Sequence, residues 1–442
     1  MRRRTIGLAL ALLGFAVTAR GEGYKPPRMT PLSPEDSSSE LVPRRDIPPQ
    51  LEEPEAPAPW LSWMLHPLKR GMWIRLPIVD TDPNRGITVG VMPIWVLKAP
   101  GSDRIKQIHA PSITYNRYFQ VTPTYRYYYY PQEDAALVAR ASVGKYEHEI
   151  LGHYEDQSFA GSSHDVVLRV QENIDAGQRF FGVGPNTPRS NETNFKEDTL
   201  TVKGTVGAPL AEGSNWRAHI GNTMVAEKVS NGPLPGLQGF SDVFPRFQAE
   251  HRHQTDEMRF TLDYDTRDHP VTTTQGSFVQ FYRAQSVRDF ASSYDYSRSG
   301  FDGRLFHPWK TERKQVTAVQ LQFEQLMGDA PFWLLPRLGG KYSLRAYGDG
   351  RYMDRSMVAL NVEQRYTVWD TRMGGVTTEF EVAPFVGAGT VADNPGSMAL
   401  QYLRPVVGGA IRAVARPQVV GSVDFGVGRE GLAVFMDINY SF

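Results

Sequence analysis

The sequence predicts an all-β protein, a sixteen-stranded antiparallel transmembrane β-barrel, and three observations carry that expectation. From about residue 72 onward apolar residues recur with period two, in segments of about ten residues broken by Gly, Pro, Asn and Asp. No run of about 18 apolar residues is present to form a helical span. The patterned region covers about 370 residues without a change in composition, which is long for a sandwich and allows about 23 residues for each of sixteen barrel strands with its connection.

The bulk numbers narrow the function. There are 48 basic and 48 acidic residues, so the basic excess of a nucleic-acid surface is missing. The chain has no cysteine, which removes both a disulfide framework and lipidation at an N-terminal cysteine. The fold must come from burial or from a membrane.

In chain order, the start reads MRRRTIGLALALLGFAVTARGEG: three arginines, an apolar run from Ile6 to Val17, then Val17 and Ala19 in the minus-three and minus-one places of a cleavage site. Residues 1–20 are therefore expected to be a secretory signal peptide. Residues 21–59 contain ten prolines and few large apolar side chains, the composition of an extended tether. Trp60, Trp63, Met64 and Pro67 then mark a short amphipathic segment, suited to a membrane surface or to covering the end of the main domain. This divides the chain into a signal peptide, a proline-rich periplasmic tether over residues 21–71, and a barrel over 72–442.

Within the barrel each strand has one apolar face. In GLAVFMDINYSF the series Leu432, Val434, Met436, Ile438, Tyr440, Phe442 is apolar, and Ala433, Asp437, Asn439 and Ser441 occupy most of the other face. VGSVDFGVG sets Val419, Val423, Phe425 and Val427 opposite Ser422 and Asp424. MVALNVEQRYTVW sets Val358, Leu360, Val362, Tyr366 and Val368 opposite Asn361, Glu363, Arg365 and Thr367. A barrel turns the apolar face to lipid and the polar face to its lumen. Tyrosine runs such as TYRYYYYP (124–131) suit aromatic girdles, with core packing as the alternative.

Enzyme and metal motifs do not hold. His148 and His153 in HEILGH are five apart, which puts them on opposite faces of a strand, and Ser142 and Lys145 of SVGK diverge in the same way. GGKY lacks the spacing of a phosphate-binding loop, GVGPNT precedes a polar loop, and no G-x-S-x-G occurs. Neither an enzyme activity, nor a metal, nor a cofactor is expected.

One connection is far longer than a hairpin needs, from about Gly328 to Arg355, and includes LGGKYSLRAYGDGRY (338–352). Its tyrosines and its Arg345 argue for a loop that packs against something. Leu344, Arg345, Ala346 and Tyr347 form the tetrad LRAY, LDYDTRDHPVTTTQGSFVQF spans 262–281, RFFGVGPNT spans 179–187, and NRGITVGVMPIW spans 84–95. In this order the four segments resemble the bacterial surface antigen family, the BamA/TamA-type outer-membrane proteins, over residues 72–442. The family's tetrad is V/I-R-G-Y/F, so alanine stands here in the glycine place. Phe442, with Tyr440 two residues earlier, resembles the C-terminal assembly signal of outer-membrane barrels.

The resemblance implies that the loop, between the eleventh and twelfth strands, folds into the lumen and that Arg345 meets inward carboxylates. Glu363 is the favoured partner, while Glu379 and Glu381 share one face of the next strand. The family's D-x-G reads FVGAGTV here, with Gly387 in the aspartate's place, which leaves Glu381 as the candidate second anchor. It further implies outer-membrane lipids and lipopolysaccharide as surroundings and the barrel assembly machinery as a partner in biogenesis. The POTRA domains usual in relatives are not expected. Two functions stay open: assistance to insertion or translocation of proteins, or lipid handling, at a weak seam between first and last strands, or a plugged structural barrel or small-solute pore working with a separate periplasmic partner. Gly90 and Pro93, in ITVGVMPIWVLK read as the first strand, weaken its pairing with the last strand and favour the weak seam.

Overall fold

Strand alternation sorts the side chains in reverse of a water-soluble core. Leu360, Val368, Val386, Val407, Ile411 and Phe425 are exposed, while Asn361, Glu363, Arg365, Glu381, Arg412 and Asp424 are buried. Buried charge inside exposed hydrocarbon is the arrangement of a barrel in lipid. The computed structural model describes residues 64–442 apart from 102–103, 133, 248–251, 310–313, 374–375, 416–418 and 438–439. The signal peptide, the tether up to Trp63, and Ile438 with Asn439 lie outside the described residues.

The strands are β1 (Leu65–Leu68), β2 (Gly71–Asp80), β3 (Thr88–Lys98), β4 (Ile105–His109), β5 (Ser112–Asn116), β6 (Gln120–Tyr129), β7 (Ala135–Val143), β8 (Glu147–Asp156), β9 (Asp165–Phe180), β10 (Thr193–Pro209), β11 (Trp216–Asn231), β12 (Gln238–Gly239), β13 (Arg252–Asp265), β14 (Gly276–Ser286), β15 (Tyr296–Trp309) and β16 (Gln315–Gly328). The long loop follows, with its own small hairpin of β17 (Arg337–Leu338) and β18 (Tyr352–Met353). After it come β19 (Ser356–Met373), β20 (Val376–Ala392), β21 (Arg404–Ala415), β22 (Val419–Gly428) and β23 (Gly431–Asp437).

All but β17 and β18 join one sheet, antiparallel except where the two-residue β12 runs parallel to β10. β4 and β5 are two halves of one interrupted strand, since both pair with β3 and β6. Counted this way around the ring, with the β1 hairpin and β12 as additions, the described residues form eighteen strands, thirteen before the loop and five after it. The expected sixteen fell short because an average spread over the whole chain hides the brevity of the early hairpins. β2 to β8 are short strands, some joined by turns such as 117–119 and 144–146, whereas β9 to β11 and β19 to β20 are much longer.

The ring closes where β2 meets β23. Thr81 N donates to Val434 O at 2.9 Å, Val434 N to Thr81 Oγ1 at 2.9 Å, and Met436 N to Asp80 Oδ2 at 3.3 Å. The segment expected as the first strand is β3, which pairs with β2 and with β4 and β5, so Gly90 and Pro93 do not lie on this seam. We call the end carrying the loop between β16 and β19 the upper end and the opposite one, where β2 begins, the lower end; β23 stops beside the upper end of β2, at Val79 and Asp80.

Two apolar clusters occupy the interior away from the charges. Phe332, in the first turn of the long loop, packs among Phe180, Phe195, Phe240 and Phe247, with ring centroids 4.1 to 5.4 Å away. A second cluster gathers Met92, Ile94, Ile108, Tyr128 and Val138 from the early strands, and Val271 of the β13–β14 turn packs against it. Each buried aromatic of this kind contributes about 1.5–3 kcal/mol.

An extracted protein should therefore give a far-UV circular dichroism spectrum dominated by β structure and should migrate faster on a gel before boiling than after. A helix-dominated spectrum would remove the barrel.

Candidate functional site

Arg345 lies in the lumen, 1% exposed, at the tip of the long loop. The loop is bent there by its own bonds: Gly340 N donates to Tyr347 O at 2.8 Å, and Ser343 Oγ accepts from Gly339 N at 2.8 Å and donates to Gly339 O at 2.6 Å. Asn361 of β19 donates to Ser343 O at 2.9 Å and ties the bend to the wall.

Glu363 stands at the middle of β19 on the inward face and receives three guanidinium groups. Arg345 Nη1 is 2.7 Å from its Oε2, Arg412 of β21 binds both oxygens at 2.7 and 2.8 Å, and Arg365 Nε reaches Oε1 at 2.8 Å. Asp424 of β22 is the second anion, 3.3 Å from both Arg345 and Arg412. Arg345 also stacks 3.5 Å over the ring of Phe385. Buried charges survive only when paired and hydrogen-bonded, and two-pronged arginine contacts to a carboxylate are the strongest form of such pairing.

The other expected residues are placed as follows. Leu344, Ala346 and Tyr347 pack with Leu338, Phe385 and Val406 in one buried cluster, and Tyr347 Oη accepts from Arg429 N at 3.2 Å. Glu381, expected as the second anchor of Arg345, instead accepts from the Tyr440 hydroxyl at 2.9 and 3.0 Å, and Glu379 pairs with Lys314. Asp424 fills the anchor's place because β22 reaches the height of the loop tip, whereas Glu381 lies lower, paired in register with Thr367. Gly387 opens space rather than leaving a gap, since a Cβ there would come within 2.5 Å of Asn361 Oδ1. A Cβ at Gly426 would overlap the Arg345 carbonyl, so β22 is where the loop backbone touches the wall. Tyr440 and Phe442 do not continue the lipid-facing series: the strand stops at Asp437, and both side chains are buried in the lumen.

Arg412 and Asp424 were absent from the expected set. Their signal was a lone charge at inward parity between small residues, in GAIRAVA and VGSVDFGVG. Two of the remaining segments meet the same loop and the third meets the clasp: Asn84 Nδ2 donates to Asp349 O at 2.7 Å, Arg351 Nη2 donates to Thr187 O at 2.9 Å, and Arg365 Nη1 of β19 reaches Thr273 O at 3.4 Å. Beside the loop, toward β6 to β16, a cavity of about 980 Å³ is lined by Arg126, Arg140, Arg298, Glu147, Glu197 and Glu324 among others.

Residues 135–412 match the model of the Omp85 superfamily domain. Among solved structures, BamA from Haemophilus ducreyi lacking POTRA domains 1–3 is 15% identical, with a TM-score of 0.53, covering 83% of this chain and 75% of that one. CdiB from Acinetobacter baumannii is 10% identical, with a TM-score of 0.46, covering 84% of this chain and 60% of that one. The chain matches none of the curated proteins compared with it.

The clasp makes unequal demands on its members. Glu363→Gln leaves Arg345 and Arg412 with Asp424 alone and takes the carboxylate from Arg365, and should cost about 3–5 kcal/mol, while Arg345→Ala leaves Glu363 with two partners and should cost about 1–3 kcal/mol. Unfolding in detergent should show the double variant falling short of the summed cost by about 1–3 kcal/mol. Strict additivity would break the direct pair.

Proposed function

Because the chain belongs to the Omp85 superfamily, we propose that it is an outer-membrane barrel that assists the insertion or translocation of proteins, or the handling of lipids, at the seam between β2 and β23. The observation that carries this reading is the poverty of the seam. Among the described residues every other neighbouring pair of ring strands forms a ladder, such as the fifteen paired positions of β10 and β11. Among the described residues β2 and β23 share only the few bonds that Val79, Asp80 and Thr81 make with Val434 and Met436. On the lower half, the edge of β2 is paired with β1 instead, Leu65 opposite Ile74 and Leu68 opposite Gly71. At about 1 kcal/mol net per hydrogen bond, opening the seam costs a few kcal/mol, against about ten or more for a full ladder. A freed β2 edge is a template for another strand.

In this reading the upper end faces the cell exterior, the lower end the periplasm, and the outward apolar band meets lipids and lipopolysaccharide. The loop acts as the fixed post: Lys341 lies 3.4 Å from Asp437 and Tyr342 bonds the same carboxylate, so the loop grips the end of β23.

The alternative, a plugged structural barrel or small-solute pore working with a separate periplasmic partner, has the polar cavity beside the loop in its favour. A seam lock separates the two. The chain has no cysteine of its own, so Thr81→Cys with Val434→Cys can be joined by oxidation or a short bismaleimide. Client insertion into proteoliposomes should be lost on oxidation and return on reduction. Insertion that proceeds unchanged through a locked seam would remove the seam as its site, and no insertion with or without the lock, together with ion conductance across planar bilayers, would favour the pore instead.

A further inference from the structure

The chamber of about 980 Å³ beside the loop has a basic patch that neither the clasp nor the seam uses. Four of its lining cations sit in register on the early strands. Arg126 of β6 stands directly opposite Arg140 of β7, and Arg169 of β9 directly opposite Lys203 of β10. Residues so placed in an antiparallel pair hold their Cβ atoms about 4.5–5.5 Å apart, where like charges repel. The wall thus concentrates positive charge twice, on either side of β8.

Hydroxyl groups stand beside the first pair. Two residues along from Arg126 and Arg140 on the same face, Thr124 lies opposite Ser142, and Ser112 of β5 lies opposite Thr124. All three line the chamber. Arg126 Nη1 donates to Ser112 Oγ at 3.0 Å, and Arg169 Nη2 donates to Gln171 Oε1 at 2.8 Å. Glu149 of β8 lies between the pairs and accepts from Arg140 Nη2 at 2.6 Å and from Gln171 Nε2 at 2.8 Å, which offsets part of the charge and fixes the Arg140 fork. Other carboxylates of the chamber are matched to other cations: Glu147 to Arg85, Glu197 to Arg337, and Glu257 and Glu324 to Arg298. Arg126, Arg140 and Lys203 are only half-buried, so a solute in the chamber reaches them.

Donors of this kind select their ligand. A carboxylate has two oxygens and fills one guanidinium fork, whereas a phosphate group has oxygens for both forks of a pair and for a hydroxyl as well. A chamber of this volume admits a small molecule. We propose that the patch is a binding site for a phosphate-bearing solute, with one phosphate between Arg126 and Arg140 beside Ser112, Thr124 and Ser142, and a second anionic group reaching Arg169 and Lys203. The site is independent of the client-handling function proposed above. Two sources supply such a ligand, a soluble phosphorylated small molecule and the phosphorylated headgroup of a lipid.

The test uses pyrophosphate as the probe, with the full chain in neutral detergent and phosphate-free buffer. Calorimetry should show saturable binding with half-saturation below about 1 mM. Arg126→Gln and, separately, Lys203→Gln should each weaken it at least about tenfold, and Arg288→Gln, an exposed position outside the chamber, should leave it unchanged. Pyrophosphate should also broaden in phosphorus NMR and raise the unfolding temperature of the unaltered protein, readouts that need no variant to fold. No saturable binding up to about 10 mM, or binding that both chamber variants leave unchanged, would overturn the site. Competition separates the sources. Displacement of pyrophosphate by lipid A micelles, but not by dephosphorylated lipid A, assigns the site to a lipid headgroup; pyrophosphate that stays bound in excess lipid A assigns it to a soluble solute.

Discussion

One carboxylate, that of Glu363, shares its two oxygens among three arginines in the middle of the barrel, and most of the interior is arranged around that fact. An ion buried in a medium of low dielectric must be neutralised within a few ångströms, and the partners here come from the loop, from β19 itself and from β21. Asp424 adds the second anion from β22. The contacts thus staple the long loop to three neighbouring strands. They also fix where the loop tip sits, since the guanidinium of Arg345 is held from both sides and from below by the ring of Phe385.

Close approach follows from the same anchoring. The loop backbone runs against β22 at Gly426, and Ala346 with Tyr347 lies against Gly428, so the wall is bare of side chains where the loop presses on it. Further up, Arg351 grips Glu430 in the turn between β22 and β23 with both Nε and Nη2, at 2.6 to 3.0 Å. Lys341 and Tyr342 hold the other end of β23 at Asp437. The strand at the weak seam is therefore clamped at both ends by one loop, and its middle is left to a few bonds with β2. Strength and weakness are placed side by side on the same strand.

Much of this was legible in the residues. The alternation of β19 put Glu363, Arg365 and Asn361 on one face, and in the structure those three are buried while Leu360, Tyr366 and Val368 face outward. Parity reveals the face but not the height along the barrel axis. That is why Glu381 looked equivalent to its neighbours as a partner of Arg345, when only the register of β20 against β19 shows how low it lies. Neither Arg412 nor Asp424 has a charged neighbour in its own strand closer than eight positions, so no local pattern joined them to the loop; the pairing exists only once β21 and β22 are side by side. Period two also runs on through Tyr440 and Phe442, yet both rings are buried beside luminal charges instead of facing lipid. Eighteen ring strands among the described residues, rather than sixteen, were hidden by the short early hairpins, which an average over the chain does not show.

The buried clasp also sets an order of events during folding. Arg345 finds Glu363 only 18 positions away, but its contacts with Asp424 and Ser441 span 79 and 96 positions, and the closing bond between Val434 and Thr81 spans 353. Loop-closure entropy rises with separation, and contacts of large separation are made late. Until β21 and β22 have docked, Glu363 faces an incomplete set of cations and the loop tip lacks its second anion. The interior is thus electrostatically unsatisfied in any partly formed barrel and becomes balanced only as the final strands arrive, so the charge pattern itself reports whether the ring is complete.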